Sequence, residues 1–110
     1  MSGSEVDEIE VSPARAREMV ESGGAQLIDV REPHEYQICN IGGHLIPLGE
    51  LPNRVNELDT SREIVAHCRS GVRSAKAVNF LRQAGFKKVH NLAGGILAWA
   101  DRVDPSMPKY

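Results

Sequence analysis

Residues 63–74 read Glu-Ile-Val-Ala-His-Cys-Arg-Ser-Gly-Val-Arg-Ser, and the reading of this stretch decides the fold. Glu63 to Cys68 is a short apolar run with a buried-looking centre, the pattern of a core strand. From Ser74 the period changes. Ala77, Val78, Leu81 and Ala84 share one helical face, and Gly85 stands where a left-handed residue closes a helix. A strand that runs through a tight loop into a helix is one unit of an α/β architecture.

The same alternation extends in both directions. Upstream, Ile9-Glu-Val11 is a strand signal, and Ser12-Pro13 supplies an N-cap and a proline at the first helical position. Ala16, Met19 and Val20 form an apolar stripe, and Gly23-Gly24 ends that helix. Gln26 to Val30 reads as a strand ending in the polar cluster Asp29, Arg31 and Glu32, with Pro33 opening a turn or short helix. Ile38 to Pro47 is a glycine-interrupted loop that leads into a short strand at Leu45-Ile46, and Leu51, Val55 and Leu58 at i, i+4, i+7 predict a helix of mixed charge. Downstream, Lys88 to Leu92 is a further strand. Gly94-Gly95 opens a last helix with Ile96, Trp99, Ala100 and Val103 on one face. The expected fold class is α/β, with a mainly parallel sheet and helices on both faces.

With 110 residues and 12.1 kDa the chain holds one domain. Residues 1–6 read as a flexible leader, 7–103 as the domain, and 104–110, with two prolines, as an extended C-terminal tail. Hydrophobic residues at 41% and charged residues at 25% suit a folded globular protein and exclude a disordered or fibrous one. A net charge of -2 with dispersed Lys and Arg argues against a broad nucleic-acid or membrane footprint, so anion recognition has to be local. The N-terminus lacks the basic and apolar regions of a secretory signal, and no run approaches the roughly 18 apolar residues of a membrane span. The expected location is the reducing cytoplasm, where a free thiol persists. Cys39 and Cys68 form no CxxC pair and no zinc-spaced cluster, so no metal site is expected.

Cys68 then becomes the candidate nucleophile, because ligands of open α/β sheets bind at the carboxyl ends of strands. Amides of a loop turning into a helix converge on an anion, and the helix dipole adds to their pull. Helix N-termini and neighbouring arginines lower a thiol from about 8.5 into the range of roughly 3.5 to 7.5. Arg69 and Arg73 are the candidate cations, and Gly71 permits a backbone that other residues resist. Ser70 and Ser74 offer hydroxyls, and Ser74 is also a candidate helix cap. The alternative is an inert core thiol, the common state of a buried cysteine. Against it, a core has no use for two arginines that would be costly to bury unpaired. Loop length separates two chemistries. A cysteine phosphatase places five residues between Cys and Arg, whereas here the fifth residue after Cys68 is already Arg73 and the sixth is Ser74. The smaller cradle suits a terminal sulfur atom better than a phosphate ester.

At this point the chain resembles the single-domain rhodaneses, a family of sulfurtransferases. The resemblance is carried by Leu27-Ile-Asp-Val-Arg-Glu32, Cys68-Arg-Ser-Gly-Val-Arg73 and Leu92-Ala-Gly-Gly-Ile-Leu-Ala-Trp99, and covers Glu8 to Val103. It implies a three-layer fold with a five-stranded parallel sheet. It also implies that Cys68 accepts sulfane sulfur as a persulfide, held by the loop of Arg69, Ser70, Gly71, Val72 and Arg73, with no metal or organic cofactor. Asp29 and Arg31 match the family's DVR element, where a structural ion pair is expected. Gly94, Gly95 and Trp99 match fold elements. The wording of residues 39–51, with the Asp104-Pro-Ser-Met-Pro ending, is similar to the C-terminal domain of fused adenylyltransferase/sulfurtransferases. Those proteins activate ubiquitin-like sulfur carriers for molybdopterin or thiamin-type pathways. The implied partners are thiosulfate or a persulfide as donor, and a sulfur-carrier protein or a cysteine desulfurase. The rivals are a non-catalytic rhodanese-like binding module, and a cysteine phosphatase or arsenate reductase on the same fold.

Three other residues are weighed on their surroundings. Cys39 is a candidate resolving thiol but has no basic neighbour in sequence, so a bland free thiol is the favoured reading. His67 is a candidate proton shuttle, yet it belongs to the strand and is expected only to hydrogen-bond. His44 and His90 lack ligand spacing and read as surface or satisfied histidines.

Overall fold

The computed structural model describes residues 8–110, so the flexible leader expected over residues 1–6 lies outside the described residues. Five strands, β1 (Glu10–Val11), β2 (Ala25–Asp29), β3 (His44–Leu45), β4 (Glu63–His67) and β5 (Val89–Leu92), form one sheet in the order β1-β5-β4-β2-β3. Every pairing in it is parallel. The helices are α1 (Pro13–Glu21), α2 (Pro33–Ile38), α3 (Leu51–Arg54), α4 (Val72–Gln83) and α5 (Gly95–Arg102). The α/β fold with a five-stranded parallel sheet is therefore the one expected from the sequence.

Local chemistry explains the boundaries. Ser12 caps α1 by accepting the Arg15 amide at 3.1 Å, with Pro13 at the first position. Glu32 and Glu35 form a reciprocal capping box around Pro33 that starts α2. The central strands β2 and β4 are covered on both sides. One core layer gathers Ile28, Ile46, Leu51, Ile64, Leu81 and Val89, and the other gathers Val11, Ala16, Leu27, Val65 and Leu92. Alternate residues of each strand thus feed opposite layers.

Four expectations are corrected. The helix expected through Leu51, Val55 and Leu58 breaks after Arg54, whose backbone leaves helical geometry as its guanidinium binds Glu50 and Glu57; a 3-10 turn, Val55–Glu57, follows. Leu58 is extended and still buried, so the chain turns it into the core without a continuous helix. The third strand is His44–Leu45, one residue earlier than expected. The fourth helix begins at Val72 because Gly71, at φ +109°, is its cap, while Ala84 at its far end is exposed. The tail is not extended. Asp104 accepts both the amide and the hydroxyl of Ser106 to make a turn, Lys109 pairs with Asp101, and Tyr110 comes back over Arg69.

Candidate active site

Cys68 follows β4 directly at the carboxyl edge of the sheet, and only 1% of its surface is exposed. The loop wraps its sulfur. The Gly71 amide donates to Sγ at 3.1 Å, the Ser74 amide reaches it at 3.4 Å, and the Ser74 hydroxyl lies at 3.4 Å. Burial pushes the thiol up, but the hydrogen bonds gathered at the sulfur, among them those of the Ser74, Gly71 and Ser70 amides, more than offset it and leave Cys68 below the ordinary thiol range. The N-terminal end of α4 points at the same sulfur.

A second helix braces the loop from behind. The α5 amides of Ile96 and Leu97 donate to the carbonyls of Cys68 and Arg69 at 2.9 and 3.2 Å. Gly95 makes this approach possible: a Cβ there would stand 2.4 Å from the Arg69 carbonyl oxygen.

The arginines do not face the sulfur as freely as the sequence suggests. Arg73 binds Glu35 of α2 through both guanidinium nitrogens, at 2.7 and 2.9 Å. That bond raises Arg73 first and foremost, although its guanidinium is also near enough to feel the charge of Cys68. Glu35 falls to about 2, held down by the hydrogen bond from Arg73 against the cost of its burial. Arg69 lies 5.6 Å from the centre of the Tyr110 ring, whose edge meets His34. Ser70 and Val72 turn their side chains to solvent, so their part in the loop is made by backbone. Ser74 does not cap α4 with its side chain, which faces inward to Cys68 and Asn91.

Asp29 and Arg31 form a fully buried ion pair, with Nη2 to Oδ2 at 2.7 Å and Nε to Oδ1 at 2.9 Å. Arg31 also donates to the carbonyl of Cys39 at 2.8 Å. Cys39 therefore has a basic neighbour that the sequence did not reveal, because the α2 turn brings residues 31 and 39 together. His67 corrects a second expectation. It is fully buried, neither ring nitrogen has a hydrogen-bond partner among the described residues, and the Asp29 carboxylate lies 3.5 Å away through an oxygen already engaged by Arg31. His90 is satisfied by Glu63 and the Glu8 carbonyl, and His44 by Glu57.

Glu35, Asn91 and Gly95 were not singled out as site residues by sequence reasoning. Glu35 was legible as the third residue of a helix opened by Glu32-Pro33. Asn91 was legible as a polar side chain in a buried strand, which must find partners. No cluster of metal-ligating side chains occurs among the described residues.

A cysteine cradled by loop amides between a central parallel strand and a helix, over a buried Asp-Arg pair, defines a class. The Rhodanese-like domain family matches residues 12–102, and the chain belongs to it. Among its relatives, a sulfurtransferase of Allochromatium vinosum is 38% identical over 96 residues, covering 86% of this chain and 89% of that protein. The probable adenylyltransferase/sulfurtransferase MoeZ of Mycobacterium tuberculosis is 38% identical over 104 residues, covering 91% of this chain and 26% of that one. In structure, the human single-domain sulfurtransferase TSTD1 superposes with a TM-score of 0.76 at 27% identity, covering 84% of this chain and 96% of that one. The chain spans 26% to 64% of the length of several curated relatives it matches.

Proposed function

We propose that the protein is a sulfurtransferase that carries sulfane sulfur as a persulfide on Cys68, taking it from thiosulfate or a persulfide donor. The Cys68 thiolate attacks the outer sulfur of thiosulfate. A sulfur-sulfur bond forms to Cys68, the bond to the sulfonate sulfur breaks, and sulfite leaves with its electron pair. The negative outer sulfur of the persulfide then lies in the cradle of loop amides, and attack on it by an acceptor thiolate, or by cyanide, regenerates the Cys68 thiolate. The observation that carries this reading is the convergence of the Gly71 and Ser74 amides on Sγ, at 3.1 and 3.4 Å.

Retention of the cysteine and its amide cradle speaks against a pure binding module. A phosphatase reading is disfavoured because the sixth position after Cys68 is the inward-facing Ser74 and the arginine before it is held by Glu35. The kinship with MoeZ supports a ubiquitin-like sulfur carrier, with an activated C-terminus ready for thiocarboxylation, as the acceptor. A cysteine desulfurase persulfide is the alternative donor to thiosulfate. Both cysteines are free thiols, and no described helix is long and apolar enough to cross a membrane, which suits work in the cytoplasm.

The test is the intact mass after thiosulfate treatment, before and after cyanide, beside Cys68→Ser. A gain of one sulfur atom that cyanide removes and the variant lacks is expected. A folded wild-type protein that takes up no sulfur from thiosulfate or from a persulfide donor overturns the reading.

A further inference from the structure

Beneath the loop, Ser74 and Asn91 are both buried and joined to each other. Asn91 belongs to β5, and its Nδ2 donates to the Gly71 carbonyl at 3.1 Å and to the Glu10 carboxylate at 2.9 Å. Both partners only accept, so the nitrogen has to face them, and Oδ1 is thereby aimed at the Ser74 hydroxyl, 2.5 Å away. Oδ1 is itself only an acceptor. A contact this short between the two oxygens requires the hydroxyl proton to lie between them.

Ser74 has one such proton and two candidate acceptors, Oδ1 at 2.5 Å and Cys68 Sγ at 3.4 Å. With the proton on the Asn91 side, the oxygen turns a lone pair towards sulfur. A thiol can donate to that lone pair, whereas a thiolate gains nothing from it. The hydroxyl stabilises the thiolate only when its proton swings away from Asn91.

We propose that Asn91 is a positioning residue for the sulfur chemistry, holding the Ser74 proton on its own Oδ1 and leaving Cys68 Sγ to the backbone amides of the loop. This rests on the reading of Cys68 as the sulfur carrier. Its value is kinetic: a sulfur nucleophile weakens as its pKa falls, so withholding one donor keeps the anion accessible without making it sluggish. The amides supply enough stabilisation to form the thiolate, and the side chain is prevented from adding more.

The experiment is the pH dependence of Cys68 alkylation by iodoacetamide, followed on the Cys68 peptide by mass spectrometry. The full chain is compared with Ser74→Ala, Asn91→Leu and the double variant. Ser74→Ala is expected to leave the apparent pKa in place or lower it slightly, because the hydroxyl donates nothing to the thiolate. Asn91→Leu is expected to lower it by about one pH unit, since the freed proton turns to sulfur. That fall should vanish when Ser74→Ala is added. A rise in Ser74→Ala overturns the proposal. So does an Asn91→Leu change that persists in the double variant, which would mean that the lost bonds to Gly71 and Glu10 had merely loosened the loop. Should Asn91→Leu not fold, Ser74→Ala decides alone. None of these readouts involves sulfur transfer, so they stand apart from the mass experiment that tests the persulfide.

Discussion

Glu35 holds Arg73 end-on, Oε1 to Nη1 at 2.7 Å and Oε2 to Nη2 at 2.9 Å, and so ties the start of α4 to α2 across the mouth of the loop. A bidentate pair fixes direction as well as distance. Arg73 thus acts as a strut between two helices, and the negative charge at Cys68 is met mainly by amides.

The strut makes stability depend on acid. Glu35 titrates near 2 in the folded protein against an ordinary 4.5, so the unfolded chain binds its proton first as pH falls. The contribution is whole above about pH 4.5 and is lost as pH falls through about 2. Allowing for the partial exposure of Arg73, it is worth about 2 kcal/mol. Glu35→Gln should lower unfolding free energy by that amount at pH 7 and by progressively less towards pH 2. Urea denaturation at several pH values measures it; a constant difference would remove the carboxylate as the cause.

Arg73→Ala should injure both stability and donor use. It leaves the Glu35 carboxylate buried without its cation and frees the first turn of α4, at a cost of about 2 kcal/mol. KM for thiosulfate should rise at the same time, and Arg73→Lys should recover part of the stability but not the fork geometry. Steady-state kinetics beside denaturation check the pairing of the two effects.

The strand-loop-helix unit around Cys68 was legible because periodicity changes within a few residues there, and glycines and prolines mark the other boundaries. Cys68, Gly71 and Ser74 could be assembled from one contiguous stretch. Glu35 and Asn91 could not, because their partners lie 38 and 17 residues away and only the packing of α4 beside α2 and β5 brings them together. Arg69 and Arg73 were legible as cations, but their commitments to Tyr110 and Glu35 depend on the folded tail and on α2. The break after Arg54 was hidden for a related reason: Leu51 and Leu58 keep helical spacing in sequence while reaching the core through a turn.

Gly95 and Gly71 should respond differently to alanine. At Gly95 a Cβ would run into the loop backbone, Arg69 O at 2.4 Å, Arg69 C at 2.6 Å and Cys68 O at 2.7 Å, with φ at +63°. None of these atoms can rotate away. Gly95→Ala should push the loop off α5, costing more than about 3 kcal/mol and most of the sulfur transfer. At Gly71 the nearest atom would be 3.7 Å away, so only the strain of φ +109° remains, about 1–3 kcal/mol. Thermal melts and single-turnover loading of the two variants should separate in that order.

His67 offers the opposite case, a buried residue whose removal should help. Burial holds its imidazole below the ordinary 6.5; Asp29 opposes this and Arg31 reinforces it, so the ring is neutral in the folded protein. The unfolded chain takes up the proton first as pH falls below about 6.5, and stability is lost from that point downwards until the folded histidine titrates as well. Neither ring nitrogen is paired among the described residues, so an apolar side chain of similar volume gives up no side-chain hydrogen bond seen there and avoids the cost of dehydrating two polar atoms. His67→Leu should therefore match or exceed the wild type at pH 7.5 and outlast it by a wider margin at pH 5.5. Denaturation midpoints at the two pH values provide the measurement. A variant less stable at both would show that His67 makes a bond in solution that Asp29, at 3.5 Å, is the group best placed to accept.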